Sequence, residues 1–142
     1  LALWGGGGLL VLAAISNALG PETHSSAAPD PAAPNSSMVD DLQDAMRPIS
    51  RKSTIFVFAI PAGARVVDIE AAAKAQCAQH AFCQVYGWQD ASQVPGAWPM
   101  LDRELAALSF SYALNRDTGH EELTWYCGSL GAKRDCQKAG AK

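Results

Sequence analysis

Residues 53–88, STIFVFAIPAGARVVDIEAAAKAQCAQHAFCQVYGW, carry the pattern that decides the fold. Ser53 to Ile60 is an unbroken β-branched and aromatic run closed by Pro61, which predicts a strand buried on both faces and central to its sheet. After the Pro-Ala-Gly turn, Val66, Ile69, Ala73 and Cys77 recur at helical spacing, with Glu70 and Lys74 expected to pair at i,i+4 on the outer face. From Phe82 to Trp88 the period changes to two. Phe82, Gln84, Tyr86 and Trp88 then share one face of a second strand, and Cys83, Val85 and Gly87 the other.

Moving towards the C-terminus, Gln89 to Arg103 has no period and contains two prolines and a glycine, so it reads as a long loop anchored by Val94, Trp98, Met100 and Leu101. Leu108, Phe110, Tyr112 and Leu114 alternate with Ser109, Ser111 and Ala113. Leu123, Trp125 and Cys127 alternate beyond the turn-rich Asn115 to His120, which predicts a β-hairpin. Towards the N-terminus, Ser37 is expected to cap a short helix with Val39, Leu42 and Met46 on one face, Asp40 and Asp41 near its positive end, and Pro48 as its stop. The expected fold is α+β: a small antiparallel sheet in the order strand, helix, strand, long loop, hairpin, with one packed helix, over residues 38–142.

The preceding residues differ in kind. Leu1 to Gly20 carries no charge, and Leu9 to Ile15 has the length of a signal-peptide apolar region, with Ser16 and Ala18 suited to cleavage after Ala18. The competing reading is a retained membrane anchor, since twenty helical residues span about 30 Å; a buried soluble helix is a third. Gly5 to Gly8 weaken a helix here. The segment starts without Met or a basic region, so the native N-terminus is expected further upstream. Residues 21–37, with four prolines and no large apolar side chain, read as a disordered linker able to reach about 3 Å per residue.

Export makes an even number of cysteines a disulfide framework. The pairing favoured by proximity to element ends is Cys77 with Cys83 and Cys127 with Cys136, and the main rival joins Cys83 to Cys127. Cys77, His80 and Cys83, with Cys127, could also form a zinc site, but they do not make the usual knuckle, and exported thiols are oxidised first. No metal and no cofactor is expected. The formal charge of -3 and pI near 5.5, with Lys and Arg scattered, offer no basic face for nucleic acid.

Catalytic constellations are weak. The candidate bases His80 and His120 have no signature around them, and Cys127 to Gly131 lacks the G-x-S-x-G of a nucleophile elbow. The acidic residues read as solvated surface. Aromatic side chains can anchor a partner or stack on a sugar, which singles out Trp88, Trp98 and Tyr86 as binding candidates, loop-borne Trp98 first.

The stretches AQCAQHAFCQVYGWQD (75–90), FSYALNRDTG (110–119) and EELTWYC (121–127) together resemble short exported, cysteine-containing proteins of alphaproteobacteria, a family that brings no activity to carry over. The cysteine pair that links helix to strand also looks a little like a PAN/apple binding module, without that family's further cysteines. The expectation is a non-enzymatic periplasmic or inner-membrane-tethered domain that binds a protein partner, within a membrane complex in one form of that reading. A glycan or small-ligand binder using Trp88 and Trp98, and a small hydrolase using His120, are the alternatives.

Overall fold

The computed structural model describes residues 33–52 and 54–126, and residues 1–20, most of the linker, Cys127 and Cys136 lie outside them. The chain forms α1 (Ser36–Ala45), β1 (Arg47–Pro48), β2 (Ile55–Ala59), α2 (Val66–Cys77), β3 (Phe82–Trp88), α3 (Asp102–Ala106), β4 (Phe110–Asn115) and β5 (His120–Trp125). The strands lie side by side in chain order in one five-stranded sheet.

The α+β class and the order strand, helix, strand, loop, hairpin are found, but the sheet is mixed rather than antiparallel. β2 and β3 are parallel, and every other neighbouring pair is antiparallel. The reason is α2: a helix that carries the chain back along the sheet makes the next strand start where the previous one started. The central strand is therefore β3, not β2. β2 has only the two-residue β1 beyond it, an edge position that tolerates Pro48 because a proline has no amide to donate.

α1 and α2 lie on one face. Phe56 and Phe58 of β2, Cys83 and Val85 of β3, and Phe110, Tyr112 and Trp125 of the hairpin pack there against Ile69, Ala72, Ala73 and Cys77 of α2 and Leu42 of α1. The register lines up Phe58, Gly87, Phe110 and Trp125 across four strands. A Cβ on Gly87 would come within 2.9 Å of the Phe58 ring, so only glycine lets the large side chain lie flat over β3. The hairpin turns at Gly119, whose φ of 69° favours glycine.

Two polar devices hold the helices. α1 starts two residues earlier than expected, and its cap is Asn35, not Ser37: the Asn35 carboxamide accepts from the Ser37 backbone N–H (3.1 Å). Asp40 and Asp41 consequently fall beyond the first turn. The backbone N–H of Asn35 itself donates to Asp68 Oδ1 at 2.7 Å. Asp68, 1% exposed, also accepts from Arg65 Nε and Nη2, both at 2.7 Å, while Arg65 Nη2 reaches the Ala33 carbonyl at 3.0 Å. This clasp ties the end of the linker to the first turn of α2, where a carboxylate also meets the helix dipole favourably.

At the other end of α2, Cys77 and Cys83 form the expected disulfide across the turn into β3. Arg116, just past β4, clamps the same turn: Nε donates to the His80 carbonyl and Nη2 to that of Ala78, each at 3.0 Å, and its backbone N–H donates to Ala81. The expected Glu70–Lys74 pair gives way to contacts with β5. Glu70 accepts from the Trp125 indole N–H at 3.0 Å, and Lys74 approaches Glu121 at 3.8 Å.

Two predictions follow from the α2 ends. Peptide mapping without reduction should recover Cys77 linked to Cys83, and replacing both by Ser should cost about 2 kcal/mol in denaturant unfolding, the loop-entropy value for so short a loop. Asp68→Ala strips the clasp of its carboxylate and should cost about 2 kcal/mol at neutral pH. The Arg65 guanidinium holds the Asp68 carboxyl below its ordinary 3.8, opposed by desolvation and helped by the Asn35 amide. A depressed carboxylate contributes stability that is complete above the ordinary value and fades as pH falls below it. The gap between wild type and Asp68→Ala should thus be constant from pH 5 upwards and narrow below about pH 4.

Candidate functional site

The face of the sheet opposite the helices is built from the alternate residues of the same strands. Cross-strand pairing aligns Val57, Tyr86, Ser111 and Thr124 in one row, and Ile55, Gln84, Ala113 and Glu122 in the next. Phe82 and Asn115 follow towards the hairpin turn, with His120 beside them.

The segment between β3 and β4 covers one end of this face. Val57, Trp88 and Leu108 form a second core with Val94, Met100, Ile49, Tyr86 and Tyr126 packed against it. The segment is more ordered than its sequence suggests. It opens with a short 3₁₀ turn, Ala91–Gln93, capped by Asp90, and closes with α3, where the Glu104 carboxylate accepts the Leu101 backbone N–H at 2.7 Å. Pro95 is fully buried, and its carbonyl accepts from Arg47 Nη2 on β1.

The three binding candidates thereby separate. Trp88 is fully buried beneath the segment, its indole N–H donating to the Glu104 carbonyl at 2.7 Å; at this position it packs the second core and presents no surface. Tyr86 is half-buried against the second core, its ring 6.4 Å from that of Trp88. Trp98 is 47% exposed, and Leu101, three residues on, is 51% exposed, while Val94 and Met100 of the same segment point inward. Phe82, at the start of β3, is the third large apolar side chain held in solvent, at 43%. Sequence reading passed over it because strand alternation does not say which face a helix will cover.

Hydroxyls stand among the polar groups on this face. The Ser111 hydroxyl lies 3.3 Å from that of Tyr126. Burial first, then the neighbouring Tyr126, pushes the Tyr86 hydroxyl up to about 12. On the helix side burial and the Glu121 carboxylate, which accepts the Tyr112 hydroxyl at 3.0 Å, push Tyr112 to about 12 as well. Both phenols are therefore hydrogen-bonding groups and not phenolate bases at neutral pH.

His80 ends the α2 turn with its ring 5.6 Å from Phe56, and His120 meets Glu122 at 3.4 Å on the strand surface, both side chains more than half exposed. Cys77 and Cys83 are joined to each other, so they are not the thiolates a zinc site with His80 would need. Among the described residues, no group of three or more His, Cys, Asp or Glu side chains is placed to hold a metal ion, and no helix is long and apolar enough to cross a membrane. Comparison with protein-family models, with curated proteins and with solved structures finds no match to this chain.

Ultraviolet titration tests the hydroxyl assignments. Tyr86→Phe and Tyr112→Phe should each remove one chromophore that ionises near pH 12. Because these groups are held protonated in the folded chain, stability is intact below the ordinary value of 10 and declines as the pH rises from 10 towards 12.

Proposed function

We propose that this is a non-enzymatic exported or membrane-tethered accessory domain, which works by holding a protein partner against the face of its sheet opposite α1 and α2. The observation that carries this reading is the end of that face away from the second core: Phe82 stands 43% exposed, with half-buried Gln84 two positions along β3 and Tyr86, packed against the second core, two beyond that. An exposed phenylalanine at the start of the central strand, with Asn115 opposite it and Gln84 and Glu122 in the next row, has the make-up of an apolar anchor with a polar surround.

Other features support binding over catalysis. His120 has a solvated carboxylate for a partner, where a general base needs a nucleophile or substrate proton within hydrogen-bond reach. The glycan reading needs two exposed tryptophans, and Trp88 is in the core. Export and a periplasmic location rest on the apolar segment 1–20, the Pro-rich linker and the disulfide, which suits an oxidising compartment.

Purified under mild conditions from its native membranes or periplasm, the wild-type chain should migrate in a complex larger than itself. Phe82→Glu should shift at least tenfold more of the chain to the monomer position, with thermal unfolding unchanged within about 2 °C, as expected for an exposed site. A wild-type chain that migrates only as a monomer would overturn the reading.

A further inference from the structure

Trp98 and Leu101 lie outside the partner face just described, and their presentation is specific. The segment that bears them is fastened on both sides: Val94 and Met100 pack into the second core, Pro95 is buried and held by Arg47, and Leu101 is tied by its backbone to Glu104. A tryptophan and a leucine are thus kept in water, 47% and 51% exposed, by a scaffold that has every opportunity to bury them.

The location of the segment adds a second observation. It leaves the sheet at the end of β3 and returns at the start of β4, the end where β2 also finishes and α2 begins. The clasp of Arg65 and Asp68 on Ala33 and Asn35 sits at that same end, on the helix side. The chain outside the structure therefore departs from the end of the domain that displays Trp98 and Leu101. Between an anchor ending at Gly20 and the clasp lie residues 21–32, which even as extended polyproline reach about 36 Å. With such an anchor the clasp stays within about that distance of the bilayer, and the end of the domain from which the chain departs carries the two exposed apolar side chains.

We infer that Trp98 and Leu101 form a membrane-contact tip, which rests in the interfacial layer of the bilayer that holds residues 1–20 and stands the sheet upright, its partner face turned sideways. Tryptophan is the side chain most at home in that layer, where its ring is half in hydrocarbon and its N–H meets water. The charges around the tip are mixed: Asp102 and Glu104 stand beside Arg103, and Arg47 lies below Pro95. The contact is accordingly apolar and does not need anionic lipid. A single tryptophan and leucine bind a bilayer weakly by themselves, and the short tether makes that sufficient by keeping them at high local concentration. The inference rests on the reading of residues 1–20 as a retained anchor.

The test uses the full chain reconstituted into phosphatidylcholine vesicles, with and without bromine on the acyl chains, and reads tryptophan quenching. Trp4 reports the anchor and Trp98 the tip, while Trp88 and Trp125 are buried in the domain. Quenching should fall on Trp4→Phe and fall separately on Trp98→Phe, and Leu101→Trp in the Trp98→Phe background should restore the second part, which also shows that the domain is folded. If Trp98→Phe leaves quenching unchanged while Trp4→Phe reduces it, the anchor stands and the tip is refuted. Absence of quenching in the wild type overturns the anchor and the tip together.

Discussion

The structure depends on the return of the chain from α2 into β3 beside β2. Parallel neighbours cannot be joined by a tight turn, so their pairing is established only once the helix between them has packed on the sheet. Here that helix is short and rich in alanine, and it offers Ile69, Ala72, Ala73 and Cys77 to a face already crowded by Phe56, Phe58 and Phe110. Small residues on the helix and large ones on the sheet interlock, and Gly87 extends the arrangement into β3 itself, where the Phe58 ring occupies the space a side chain would need. The disulfide and Arg116 act at the one point where the crossover could open. The disulfide constrains the unfolded chain across that turn, whereas Arg116 acts only in the folded state by satisfying the carbonyls that α2 leaves at its end.

The opposite end of α2 has a different design. Asp68 is a buried carboxylate, which is costly unless every lone pair finds a donor. It receives two hydrogen bonds from Arg65 and one from the backbone of Asn35, and the last of these also sets the cap of α1. One carboxylate thereby couples three things: the start of α2, the start of α1 and the point where the linker leaves the domain. Hydrophobic packing could hold the two helices together without such a group. What packing alone would not give is a defined exit for the linker, because residues 21–37 carry no large apolar side chain that could be buried.

Much of this was legible in the sequence where local pattern and tertiary environment agree. The run from Ser53 to Ile60, the helical stripe from Val66 to Cys77 and the alternation from Phe82 to Trp88 all reappear as elements within two residues, and the Cys77–Cys83 pairing follows from their ends. What could not be read was the covering of faces. Alternation separates Cys83, Val85 and Gly87 from Phe82, Gln84, Tyr86 and Trp88, and size alone favours burying the aromatics; yet the small residues face the helices because Phe58 lies over them. Arg116 and Glu70 act across 36 and 55 residues of sequence, distances at which a single chain carries no signal.

Trp88 and Trp98 show how such covering decides which side chains reach the surface. Both follow a small residue, Gly87 and Ala97, and the sequence separates them only in that Trp88 ends a strand while Trp98 lies in a loop. Trp88 is buried because its strand position places the ring under the returning segment, where the Glu104 carbonyl satisfies the indole N–H that burial would otherwise leave without an acceptor. Trp98 belongs to the segment that does the covering, and once Val94, Pro95 and Met100 have been turned inward, the backbone between them has to turn its remaining side chains outward. The second core and the exposed tip are thus one event seen from two sides. A variant that loosened Trp88 would disturb the presentation of Trp98 as well, and for that reason the two tryptophans cannot be treated as independent contacts.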